Sequence, residues 1–111
     1  MKVGSEVLQV YSTGPVTVVG FGGKVILDDI NLAECRDTIL ALSREDECHT
    51  MAFDLTGVRL VPSGLLGILA SLHRQGINVE VYNPSPGLRE VLEVTHFDRL
   101  VEIREVETPG S

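Results

Sequence analysis

Three observations predict an α/β fold built on a mixed sheet. Short β-branched runs alternate with stretches whose apolar residues recur every three or four positions. A Gly-Pro turn joins the first two extended runs into a hairpin, and each later helix leads into another strand. The order read along the chain is β-β-α-β-α-β-α-β, and right-handed crossovers then lay parallel strands side by side after the hairpin. The 111 residues suffice for one core, so residues 1–106 are read as a single domain and 107–111 as a disordered polar tail.

Glu6 to Tyr11 and Val16 to Phe21 form the hairpin strands, joined through Ser12-Thr13-Gly14-Pro15. Gly22-Gly23 permits a bulge or bend before Lys24 to Leu27, where the sheet edge is expected to end. Leu32, Cys35, Ile39 and Leu42 mark the first helix, with Asn31 and Glu34 at capping-box spacing; Arg44-Glu45-Asp46-Glu47 follows as a solvated loop. Met51 to Leu55 is the next strand. The second helix opens at Ser63, carries Leu65, Ile68, Leu69 and Leu72 on its apolar face, and stops at Gly76. Gly64, Gly67 and Ser71 lie along one stripe of that helix, and the sheet is their expected neighbour. Ile77 to Tyr82 is a strand. Ser85 and Pro86 supply the N-cap and N1 of a third helix, with Leu88, Val91 and Leu92 facing inward, and Leu100 to Ile103 is the last strand.

The chain is organised around Asp54-Leu55-Thr56-Gly57-Val58 and the Ser63 helix that follows. A serine at a helix start can act as the N-cap, accepting from Leu65 or Leu66, or can carry an anion that the helix dipole favours. The order of three segments, Asp54 to Val58, Ser63 to Leu72 and Asn83 to Leu92, resembles the STAS domain of anti-sigma factor antagonists over nearly the whole chain. The resemblance implies a mixed sheet of about five strands with helices largely on one face. It also implies a partner: an anti-sigma factor that is a Ser/Thr kinase of the histidine-kinase-like ATPase type, whose capture frees a sigma factor. Phosphorylation of a serine at the start of the second helix breaks that binding in the family, and a phosphatase restores it. Ser63 matches the phosphoacceptor position. Pro62 stands where the family motif has Asp, and Gly64 where it has a second hydroxyl residue. Asp28 is the best match to an upstream family Asp, given a loop of different length. By resemblance, Asp28, Pro62, Ser63, Gly64 and Leu65 form the docking surface.

The composition bounds the alternatives. A net charge of −7 with nine scattered Lys and Arg argues against nucleic acid, which requires a basic face. No apolar run reaches membrane-spanning length, and Met1 to Glu6 lacks export features, so no membrane insertion and a cytoplasmic location are expected. Cys35 and Cys48 read as free thiols, and His49 and His96 as structural residues. With no phosphate loop, nucleophile elbow or ligand-spaced histidines, and with Asp28, Asp29, Asp37 and Asp54 read as caps or surface, the chain is read as a non-enzyme with no metal and no cofactor. Three readings remain: an antagonist switched at Ser63; a STAS scaffold subunit that binds constitutively; and a STAS subunit of transport machinery, where a free-standing soluble chain points to lipid ABC systems rather than sulfate-type anion transporters. Exposed hairpin edges also leave a homodimer open.

Overall fold

The computed structural model describes residues 8–22, 31–44 and 48–106. Strands β1 (Gln9–Ser12) and β2 (Val16–Gly20) form the expected antiparallel hairpin, whose register shifts at a bulge between Val10 and Ser12. Strands β3 (Thr50–Asp54), β4 (Asn78–Tyr82) and β5 (Val101–Arg104) then add in parallel, giving one mixed sheet in the order β1-β2-β3-β4-β5. Helices α1 (Leu32–Ser43), α2 (Ser63–Arg74) and α3 (Pro86–Val94) make the crossovers. Successive right-handed crossovers running in one direction bring all three to the same face.

Period-two alternation selects what meets the helices. Val19, Met51, Phe53, Val79, Val81 and Val101 are all buried beneath them. Cys35 and Ile39 of α1, the four apolar residues of α2, and Leu88 and Leu92 of α3 complete this core. On the other face Tyr11 folds its ring over Gly20: a Cβ there would stand 2.7 Å from Tyr11 Cε2, so this close approach requires glycine. The Tyr11 hydroxyl also accepts from Gly22 N at 3.2 Å.

The helix ends follow their sequence signals. Asn31 Oδ1 accepts from Glu34 N at 3.1 Å, and Ser85 Oγ from Leu88 N at 3.2 Å with Pro86 at N1. Gly76, at φ 88, lies just beyond the α2 C-cap Gln75. One inward assignment changes. Val91 is 41 % exposed, because Leu88 and Leu92 already fill the narrow face that a nine-residue helix presents. The Lys24–Leu27 run, Asp28, Asp29, most of the acidic loop and the 107–111 tail lie outside the described residues.

Candidate functional site

The site grows from the C-terminal end of β3. Asp54 is buried there at 3 % exposure, and its Oδ1 accepts from Thr56 N at 3.0 Å and from the Thr56 hydroxyl at 2.5 Å. This local turn lets the chain reverse through Gly57 at φ 82. Thr56 Oγ1 in turn accepts from Asn83 Nδ2 at 3.0 Å. Asn83 grips the chain after β5 as well, donating to Val106 O at 2.6 Å and accepting from Val106 N at 2.8 Å. Three chain segments are thus clamped at the loop that carries the site. Leu55 and Val58 anchor the same loop in the core, while Arg59 and Leu60 emerge at the surface, Leu60 at 50 % exposure.

Helix α2 starts differently from the capping arrangement that Ser63 suggests. Pro62 is the N-cap, at φ −73 and ψ 151, and its carbonyl accepts from Leu65 N at 3.0 Å. The proline ring fixes φ and supplies no donor, so the helix begins immediately after it and Ser63 becomes its first residue. An N1 serine has helical backbone angles and does not stand where a cap oxygen must. Among the described residues the Ser63 hydroxyl has no hydrogen-bond partner, and the residue is exposed. It projects from the end of a helix whose first amide groups favour negative charge.

Pro62, Ser63 and Gly64 lie together at this surface, whereas Leu65 is 2 % exposed and supports them from the core. Asp28 lies outside the described residues. The stripe of small residues does not face the sheet. Leu65, Ile68, Leu69 and Leu72 occupy that face, and rotation around the helix carries Gly64, Gly67 and Ser71 toward α1 and solvent. A Cβ on Gly64 would stand 2.5 Å from Leu32 Cδ1 of α1, whereas one on Gly67 would meet nothing within 4 Å.

The sequence carries a further signal in what this segment lacks. From Leu55 to Val79 there is no Asp or Glu, although the chain holds 16 of them. The loop and α2 therefore form a neutral-to-basic island in an acidic protein, and the "scattered" arginines include two that belong to it, Arg59 and Arg74.

Titration is perturbed away from this island. Burial first, then the neighbouring Glu34 carboxylate, pushes the Cys35 thiol pKa up. Burial also raises Tyr82, reinforced by its hydrogen bond to Glu80. Both cysteines are free and buried. Among the described residues no group of three His, Cys, Asp or Glu could hold a metal, and no helix is long and apolar enough to cross a membrane.

Comparison with known proteins agrees with this architecture. The STAS domain family matches residues 8–108, and the chain belongs to that family. The fold is similar to that of the anti-sigma factor antagonist SpoIIAA in its unphosphorylated form, at TM-score 0.73 and 15% identity over 90% of this chain and 88% of that one. It is also similar to an anti-sigma-factor antagonist (STAS) domain protein from Planctomyces limnophilus, at TM-score 0.72 and 23% identity, covering 92% and 90%. Phosphorylated SpoIIAA, a Bacillus cell fate determinant, aligns at TM-score 0.67 and 17% identity, covering 90% and 91%. Among curated proteins no sequence matches.

Proposed function

We propose that this STAS domain is an anti-sigma factor antagonist, a non-enzymatic cytoplasmic regulator of transcription that captures an anti-sigma factor with Ser/Thr kinase activity and is switched by phosphorylation of Ser63. The observation that carries this reading is the position of Ser63: first in α2, exposed, its hydroxyl not used as the cap, on a loop clamped by Asp54, Thr56 and Asn83. Its structural neighbours include one antagonist in unphosphorylated and phosphorylated forms. A phosphate adds roughly −1.5 to −2 of charge, which a helix N-terminus accommodates but a partner surface fitted to a neutral serine does not. Pro62, Ser63 and Gly64, with Asp28 from the preceding segment, form the docking surface over Leu65, and a phosphatase resets the switch.

The test combines intact mass and pull-down of the wild type, Ser63→Ala and Ser63→Glu in native cells. The expected result is a phosphate that disappears in Ser63→Ala and a kinase partner that is lost in Ser63→Glu. Pro62 favours one competing reading, a constitutive STAS scaffold, since it replaces a carboxylate and a backbone donor at the residue before the acceptor. An unmodified Ser63 with one partner shared by all three proteins would establish the scaffold instead.

A further inference from the structure

The groove between α1 and α2 has a chemistry of its own. Its floor is Gly64, Gly67 and Ser71, its apolar walls are Leu32, Ala33 and Ile68, and it opens as two adjoining depressions of ≈ 280 and ≈ 330 Å³. Arg36 of α1 lines both depressions, and Arg74 closes the end remote from Ser63. Both arginines are exposed, and among the described residues neither has an ion-pair partner, while Arg89 and Arg104 are paired elsewhere. No described carboxylate lines the groove. In a chain of net charge −7, this places two exposed cations beside an apolar trough, Arg74 on the acid-free α2 and Arg36 on α1, where Glu34 and Asp37 flank it in sequence without lining the groove.

We infer that this groove seats an acidic amphipathic helix of the partner protein. The charge pattern selects the sign, since Arg36 and Arg74 complement carboxylates and would repel a basic segment. The shape selects a helix. The walls are themselves helices whose backbone groups are engaged internally, so no edge is offered to an added strand. An apolar helical face seated between two helices buries its side chains there, and the glycine floor allows close backbone approach. Since Gly64 follows Ser63 directly, a phosphate on Ser63 would stand at the mouth of the groove and repel the same acidic helix. This inference rests on the antagonist reading for the switch, but not for the chemistry of the occupant.

The experiment places a photo-crosslinking benzophenone amino acid at position 37, exposed on α1 beside Arg36 and outside the groove lining, so that the probe leaves the glycine floor open. A control probe replaces Glu93 on α3. Irradiation in native cells is followed by mass spectrometry of the crosslinked peptide. The expected adduct at 37 maps to an Asp- and Glu-rich helical segment of another protein. Its yield should fall at least about tenfold in Arg36→Glu/Arg74→Glu at an unchanged melting temperature, with no such adduct at 93. An adduct with a second copy of this chain, an adduct on a peptide without carboxylates, no adduct, or indifference to the charge reversal would each overturn the inference. Failures separate cleanly. A kinase retained in the Ser63 pull-down without the adduct removes the groove and keeps the antagonist. The adduct on a protein that ignores Ser63 does the reverse.

Discussion

Asn83 sits at φ 57, a left-handed conformation that asparagine tolerates better than most side chains, and its amide ties the Thr56 turn to Val106. Two substitutions separate backbone from side chain. Asn83→Gly keeps the conformation and loses the hydrogen bonds, an expected destabilisation of about 1 kcal/mol in urea unfolding. Asn83→Ala loses both, and about 2 kcal/mol is expected. Equal losses would show that the left-handed conformation adds no cost of its own and that the clamp's energy lies in its hydrogen bonds. Cys35 gives a second test at this scale. Its pKa is raised in the folded state, so the native protein holds the thiol proton more tightly than the unfolded chain does. Its contribution to stability is therefore complete below the ordinary thiol value of 9.0 and is lost as pH rises from there through the folded value. Urea midpoints should be flat from pH 7 to 8.5 and fall above about 9. Cys35→Ala should flatten the first part of that fall, and Tyr82, raised from 10.0 in the same direction, leaves the later part. Between pH 7 and 8 the wild-type thiol should resist a disulfide reagent until the protein unfolds.

At the level of elements, α2 combines a buried apolar face with glycines on its open one. Gly67 lies mid-helix with nothing near a Cβ, so Gly67→Ala should stabilise the protein by about 0.5–1 kcal/mol, read as a higher urea midpoint. Gly64→Ala should gain less, because its methyl displaces Leu32 Cδ1. A loss in Gly67→Ala would mean that the helix is tighter there than its geometry indicates. The same helix illustrates what the sequence made legible. Its bounds, its sheet-facing leucines and its Gly76 stop were readable because each is local chemistry: periodicity, a turn signal, a residue suited to positive φ. The cap was misread because serine and proline both suit a helix start, and only the backbone angles assign Pro62 to the cap and Ser63 to N1. The glycine stripe was assigned to the sheet because spacing establishes that residues share a face, but not which neighbour that face meets. The Asn83 clamp was unreadable for a further reason. It joins Thr56, Asn83 and Val106, and contacts so distant in sequence leave no periodic trace.

Across the whole molecule, the Ser63 surface follows the best-protected of the described strands. β3 lies between β2 and β4, with Met51 and Ala52 at 0 % and Phe53 at 1 % exposure, so both its edges and both its faces are covered. β1 is an edge strand with three of its four residues exposed. Native-state hydrogen exchange should therefore find the β3 amides opening only with global unfolding, and those of β1 at least about a hundredfold faster through local opening. This gradient tests how a charge at Ser63 acts. A negative group at N1 interacts favourably with the amide end of α2, worth about 0.3–1 kcal/mol, and it meets solvent rather than core. Ser63→Asp should then leave β3 exchange unslackened and the melting temperature level or slightly raised, while adding one charge to the net −7. A switch of that kind changes what the surface can bind without loosening the fold beneath it. Faster exchange throughout β3 in Ser63→Asp would instead mean that the charge is transmitted down the loop past Thr56 into the sheet, and that partner release proceeds through partial unfolding.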